Sequence, residues 1–279
     1  MAENSAIEWT DHTWSPWEGC QKTGSLACQN CYAEARNARF GGGEAPNWGP
    51  HAPRRIRADS GWGLPLRWNR EAGKRGVRLR VFPSLCDPFD NKAPEGARRR
   101  FGNLIVATPN LIWLLLTKRI GNAAEMLAEM FPDGQPDNVW LGATIVTRDE
   151  MLRDGSKLKA TPAAIHFWSA EPLMGDLGEI PLEIMPDWMI VGGESGRDAR
   201  ITPIEASRST RDQCAAVGVP FLHKQHGEWV HESQVGWLDP MLDTHNVPWE
   251  LLDGGSYYRV GKKAAGRLLD GVQHDGMPA

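Results

Sequence analysis

The stretch Leu111–Val146, LIWLLLTKRIGNAAEMLAEMFPDGQPDNVWLGATIV, places two near-continuous apolar runs on either side of a helix-length segment. LIWLLLT and VWLGATIV have strand length and little polar alternation, the pattern of strands covered on both faces. A buried strand, the helical segment NAAEMLAEMF (122–131) and a second buried strand read as a βα unit, hence a parallel sheet or barrel.

The same pattern extends in both directions. LRVFPSLC ends at Cys86, IHFWSA at Ala170, WMIVGG at Gly193 and PFLHK at Lys224, and SRSTRDQCAAVG (207–218) reads as a helix that Gly218 is placed to stop. With a short strand before Cys20, the count predicts an α/β fold: a partial (β/α)6 TIM-like barrel, with one strand to spare, over residues 1–230. Residues 41–76, rich in Gly, Pro, Trp and Arg and without a clear period, read as an insertion. Residues 231–279 read as a C-terminal extension packing on the barrel, where SYYRVGKKAAGRLLDG (256–271) offers a strand and a short basic helix.

Composition excludes other classes. With 41% hydrophobic and 24% charged residues over 279 positions, the chain is neither disordered nor fibrous. MAENSAIEWTD lacks the basic start and apolar centre of a secretory signal, and LIWLLL is too short to cross a bilayer. A cytoplasmic protein without a membrane partner is expected. The net charge of −4 gives no general attraction to nucleic acid, yet nine Lys or Arg between Arg54 and Arg80 face only Asp59 and Glu71, a local +7. With Trp62 and Trp68 interleaved, this region reads either as a phosphate-binding surface with two base-stacking rings or as a solvated basic insertion. Most of the thirteen Trp residues are expected to pack in the core.

Three of the five cysteines, Cys20, Cys28 and Cys31, fall within CQKTGSLACQNC, between the first strand and the first helix. In a reducing compartment such thiols read as ligands rather than disulfides. A structural zinc would complete its tetrahedron with a histidine, for which His12 and His51 are candidates. A [4Fe–4S] cluster held by three cysteines would leave one iron free for a small molecule. Catalytic groups of barrel enzymes gather where strands end and loops begin, which favours the cluster.

IEWTDHTWSPWEGC, the three cysteines followed by YAEA, then LLLTKR, SAEPLMG, VGGESG, PFLHKQHGEW and YYRVGKKAAGRLLDG occur together in one order over nearly the whole chain. In this the sequence resembles a phage-associated family of the radical S-adenosylmethionine (SAM) superfamily whose function was long unknown. It is similar to the radical SAM isomerases of phage thymidine hypermodification. The resemblance departs from the common superfamily spacing, since seven residues separate Cys20 from Cys28, and Tyr32 follows Cys31 instead of preceding it.

What the resemblance implies is a barrel of the radical SAM type and two cofactors, the [4Fe–4S] cluster on Cys20, Cys28 and Cys31 and SAM on the free iron. One-electron cleavage of SAM then gives a 5′-deoxyadenosyl radical that abstracts a substrate hydrogen. Gly192, Gly193, Glu194 and Ser195 would contact SAM, with a tight turn at a strand end as the alternative. Tyr32 is a further cofactor contact. Thr117, Lys118, Thr144 and Glu171 sit where strands end, with Lys118 matched to SAM's carboxylate and Glu171 to its ammonium, or with both in ion pairs closing the barrel. Lys224, Gln225 and His226 would face substrate, and His166 would pack in the core. Cys86 would share the cavity, as a hydrogen-atom donor or as a packing residue. The expected partners are DNA or a modified thymidine nucleotide and a one-electron reductant such as flavodoxin or ferredoxin, in the host cytoplasm if the chain is phage-encoded. The implied reaction converts a nitrogen-linked glycine on the thymine methyl into a carbon-linked one. DNA-lesion repair or RNA modification by the same radical, and a zinc-stabilised nucleic-acid-binding module, are the alternatives.

Overall fold

The computed structural model describes residues 3–237 and 247–279, so residues 238–246 of the expected extension lie outside the described residues. The chain divides into two compact units, residues 1–143 with 157–166, and residues 144–156 with 167–279.

The first unit carries β1 (His12–Thr13), β2 (Trp17–Glu18), α1 (Tyr32–Phe40), β3 (Arg55–Ile56), α2 (Gly63–Arg75), β4 (Leu79–Phe82), α3 (Ala97–Val106), β5 (Leu111–Thr117), α4 (Ala123–Met130) and most of β6 (Val139–Thr144). Its parallel strands run in the order β1-β4-β5-β6, with His12 opposite Val81, Leu79 opposite Leu111 and Leu115 opposite Leu141. The apolar run of β5 buries Leu111, Trp113, Leu114 and Leu115 completely. Trp113 meets Phe101 of α3 edge to face at 5.1 Å and Trp14 at 5.8 Å. Such aromatic pairs contribute about 0.5–1.5 kcal/mol each beyond the area they bury. β2 and β3 form a separate antiparallel pair that sets Glu18 opposite Arg55.

Two boundaries differ from the sequence reading. β4 stops at Phe82 because Pro83 has no N–H to continue a ladder, so Cys86 lies on a loop rather than at a strand end. The apparently patternless insertion contains α2, which buries Trp68 and Ala72 one turn apart and ends at Gly76. Gly76 is left-handed (φ +63°) and its N–H caps the carbonyls of Ala72 and Gly73. Glycines at 63 and 73 and a proline at 65 conceal the helix from a propensity reading.

The second unit carries most of α5 (Arg148–Ala160) and β7 (Ile165–Ala170), then β8 (Trp188–Gly192), α6 (Ile204–Val217), β9 (Phe221–Gln225), β10 (Trp229–His231), β11 (Trp249–Leu252), β12 (Gly255–Arg259), α7 (Lys262–Ala265), β13 (Leu268–Leu269) and β14 (Val272–Gln273). Its parallel strands run β7-β8-β9, with Phe167 opposite Trp188 and Met189 opposite Phe221. β10-β12-β11 form an antiparallel sheet and β13-β14 a hairpin. As the sequence predicts, Gly218 closes α6 in the left-handed conformation (φ +72°).

The protein is therefore of the mixed α/β class. Its seven parallel strands, four in the first unit and three in the second, match the number read from the sequence and are compatible with a partial barrel. No helix among the described residues is long and apolar enough to cross a membrane.

Arg54 and Asp90 form a fully buried ion pair, Nε to Oδ2 2.7 Å, with side chains 0% and 1% exposed. Asp90→Ala leaves that guanidinium charge uncompensated and should cost about 3–5 kcal/mol of unfolding free energy. Asp59→Ala, which breaks an exposed pair with Arg100, should cost less than about 1 kcal/mol. Urea unfolding of the two variants checks the contrast, and equal losses would refute it.

Candidate functional site

The loop from β2 to α1 presents the three cysteines by local means. Ser25 caps a short 3-10 turn, its Oγ accepting from Ala27 N at 3.2 Å, and that turn carries Cys28. Cys31 is the N-cap of α1. Cys28 Sγ contacts Thr23 through the backbone N at 3.5 Å and the hydroxyl at 3.4 Å. All three cysteines line one cavity of about 80 Å³, together with Cys86, Tyr32, Thr117 and Lys118. Tyr32 reaches across to donate its hydroxyl to Ser84 O at 2.5 Å.

A residue that the motif reading passed over organises this wall. Asp87 accepts the Thr117 hydroxyl (2.7 Å), the N–H of Phe89 (3.0 Å), the N–H of Lys118 (3.2 Å) and the guanidinium of Arg119 (2.9 Å). Arg119, so held, donates to Cys20 Sγ at 3.5 Å and to the carbonyl of Gln21. Burial works against the Arg119 charge, but Asp87 and Cys20 overcome it, so its pKa lies above the usual arginine value. Burial, reinforced by Asp87, pushes the Cys20 thiol up to about 12 against the opposing pull of Arg119. Burial, then Asp87 and Cys20, also raise the Cys86 thiol. The sequence signal was present in the Asp that follows Cys86 and the Arg that ends TKR, but a spacing of 32 residues hides the pair.

Donor chemistry and placement decide which group fits. Among the described residues no set of three or more His, Cys, Asp or Glu side chains converges as a site for one metal ion. Zinc draws every ligand to roughly 2.0–2.3 Å of one point, and its two candidate histidines are engaged or remote in burial. His12 lies stacked on Trp68 at 4.2 Å with Nδ1 accepting from Asn4 N, and His51 is exposed. The three thiols share the cavity wall, and three cysteines are the protein ligand set of a [4Fe–4S] cluster with one open iron.

In the second unit the polar strand ends are largely satisfied by the chain itself. Lys224 Nζ pairs with Glu171 Oε1 at 2.8 Å, and Ser169 donates to Glu171 Oε2 at 3.1 Å. Glu194 accepts from Arg200 through its backbone N, Nε and Nη2 at 2.7–2.8 Å. A Cβ on Gly193 would stand 1.8 Å from the carbonyl oxygen of His226, so this glycine admits neighbouring backbone. A Cβ on Gly192 would meet Glu171 Oε1 at 3.1 Å. Gln225 Nε2 binds Gly193 O and Ser195 Oγ at 2.9 and 2.7 Å. GGES forms a strand-end turn packed by its own neighbours, the alternative that the sequence carried beside contact with SAM. His226 is likewise engaged with the chain, Nε2 against Leu268 O at 2.7 Å, and His166 is half-buried with Nε2 against Thr161 O at 2.7 Å. The hydroxyl of Thr144 and Oε1 of Gln225 are among the buried polar atoms without a hydrogen-bond partner among the described residues. Buried polar atoms of this kind are what a polar ligand would satisfy.

The tryptophans of the insertion need correction too. Trp68 is 1% exposed, under His12, with Nε1 donating to Glu3 at 3.1 Å. Trp62 is 6% exposed, edge-on to Trp14, and covered by the Arg100 guanidinium 4.0 Å from its ring centre. Neither ring has a face open for a base. Of the nine basic residues, Arg54, Arg55, Arg67, Arg78 and Arg80 are in ion pairs with Asp90, Glu18, Glu3, Asp137 and Asp11. Arg70, Lys74 and Arg75 stand exposed on α2.

By sequence the chain belongs to the family described as Protein of unknown function (DUF5131), whose model matches residues 4–278. No curated protein and no solved structure matches it.

His223, beside the expected substrate residues, is 1% exposed, with Nδ1 3.3 Å from Arg267 O. Burial, and then His226, push its pKa from 6.5 down to about 3. The unfolded chain therefore binds a proton that the folded chain refuses, and stability falls as pH drops from 6.5 towards 3. His223 alone should contribute a slope of up to about 1.4 kcal/mol per pH unit. His223→Gln should reduce the pH dependence of urea unfolding in that window by this amount. An unchanged slope would show that His223 is not buried neutral.

Proposed function

We propose that this member of a family of unknown function is a radical SAM enzyme that modifies a nucleic-acid base. Cys20, Cys28 and Cys31 would hold a [4Fe–4S] cluster whose fourth iron takes SAM. The observation that carries this reading is the meeting of the three cysteines on one cavity, at the loop after the first strands and beside the C-terminal end of β5. When bound, cluster and SAM supply one-electron cleavage of a sulfonium and the abstraction of a substrate hydrogen.

The chain's own residues have supporting tasks. Phe82, Leu85, Leu116 and Trp48 give the cavity apolar walls that keep water from reactive carbon centres. Lys118 brings an ammonium to the same wall, suited to a carboxylate such as SAM's. Arg119 directs a donor at Cys20, Thr23 contacts Cys28, and Cys31 stands at the N-cap of α1, so each cysteine is positioned by its own local contact or helix start. The substrate we favour is glycyl-thymidine, isomerised from the nitrogen-linked to the carbon-linked form. One hydrogen leaves the glycine α-carbon and one is returned, with no net oxidation. Cys86, on the cavity wall, would serve as a relay for that return: its thiol would give a hydrogen atom to the product radical and its thiyl radical would regain one from 5′-deoxyadenosine, so that atoms and electrons balance. This choice of base is supported by the resemblance of the motifs and by the basic face of α2.

Anaerobic reconstitution tests the reading. Wild-type protein should take up about four irons per chain, with broad visible absorption, and cleave SAM to 5′-deoxyadenosine when reduced. Cys20→Ala, Cys28→Ala and Cys31→Ala should each lose both properties, while Cys214→Ala, whose thiol is buried in α6, should keep them. Colourless protein with stoichiometric zinc, or full SAM cleavage in all three variants, would overturn the proposal.

A further inference from the structure

We infer that an open pocket beside the cysteine cavity, walled by Arg36, Arg55, Arg57 and Trp17, binds the phosphate group of the substrate. The pocket holds about 340 Å³, and Leu85 lines both it and the cysteine cavity, so the two share a wall.

Its charge is built by the local fold. The β2–β3 pair sets Arg55 opposite Glu18, and α1 brings Arg36 to the same carboxylate at 3.3 Å. Arg57 is fixed by donation from Nε to Ser15 O at 2.7 Å, with its guanidinium 5.1 Å from the Trp14 ring centre. Three guanidinium groups thus face one carboxylate, leaving the wall at +2. Glu18 orients Arg36 and Arg55 without exhausting them, because a guanidinium carries five N–H donors. Their side chains remain 39% and 66% exposed, within reach of a ligand.

A second observation points the same way. Trp17 is 1% exposed and lines the pocket, yet its indole N–H has no acceptor among the described residues. Buried donors of this kind are rare in folded proteins. A wall with three guanidinium groups and one carboxylate is deficient in acceptors, and a phosphate supplies several acceptor oxygens that the planar fork of arginine can bind two at a time. The remaining acid, Glu18, already accepts from Arg36, Arg55 and Asn37. Of the basic segment, Arg55 and Arg57 are the two residues that line this pocket.

The identification of the phosphate as part of a nucleotide or nucleic-acid substrate rests on the function proposed above; the anion site does not. Calorimetric titration of the cluster-free protein with inorganic phosphate, thymidine, thymidine 5′-monophosphate and a short oligothymidylate tests both. Thymidine 5′-monophosphate should bind more tightly than thymidine. Arg55→Gln, at an exposed position, should weaken phosphate and monophosphate roughly five- to ten-fold. Glu18→Gln should tighten both, a gain that a damaged fold would not give. Oligothymidylate binding tightly, with a steep salt slope that Arg55→Gln reduces, would identify a polymer backbone as the source; preference for the monophosphate would identify a free nucleotide. Equal affinity for thymidine and its monophosphate, or phosphate binding unmoved by both substitutions, would overturn the site. Phosphate binding in protein that takes up no iron would retain the anion site and reject the enzyme reading.

Discussion

The buried carboxylate of Asp87 is the constraint on which the cysteine-bearing wall depends. It ties together three segments that the sequence keeps far apart: its own loop after β4, the end of β5 through Thr117 and Lys118, and the cysteine loop through Arg119. A carboxylate so placed loses its hydration and is stable only when its lone pairs are filled, which here requires all of these segments at once. Asp90, three residues on, repeats the device with Arg54, while Arg98 caps the intervening carbonyls of Pro88 and Asp90. The short run CDPFD therefore fixes the geometry of the cavity more firmly than the cysteines, whose own contacts are weak sulfur hydrogen bonds.

Much of the fold was legible because parallel strands buried on both faces leave a trace that needs no partner to be read. LIWLLLT, VWLGATIV, IHFWSA and WMIVGG are apolar whichever neighbours they have, and each holds a strand. Gly218 was legible for a similar reason, since the left-handed cap is a local requirement. The α2 helix was not legible, because its glycines and proline argue against a helix and only the burial of Trp68 and Ala72 against the rest of the unit outweighs them.

The candidate site was legible to a different degree. Spacing alone grouped Cys20, Cys28 and Cys31, and they do share a cavity. What spacing cannot show is whether a polar residue at a strand end is already satisfied. Glu194 and Arg200, Glu171 and Lys224, and Gln225 and Ser195 answer one another across gaps of 6, 53 and 30 residues. The basic segment failed in the same way: its neutralising acids, Glu3, Asp11, Glu18, Asp90 and Asp137, lie outside it. Local charge is a sum over neighbours in sequence, whereas binding responds to the sum over neighbours in space.

These two sums differ most where function is proposed. Residues whose donors and acceptors are matched within the protein can only hold shape, whatever motif they belong to; a ligand can act on the mismatches. Thr144 Oγ1 and Gln225 Oε1 in one unit, and the donor-rich wall of Arg36, Arg55, Arg57 and Trp17 in the other, are mismatches of opposite character. The first includes an acceptor carbonyl without a donor; the second has more donors than acceptors. A ligand that meets the second must be anionic, and one that meets the first must offer hydrogen-bonding groups. The three thiols add a further place of this kind: burial raises the Cys20 thiol, and in the proposed reading a metal would take the place of its proton. The positive group beside Cys20, Arg119, offsets the negative charge that metal-bound thiolates would bring into a low-dielectric cavity.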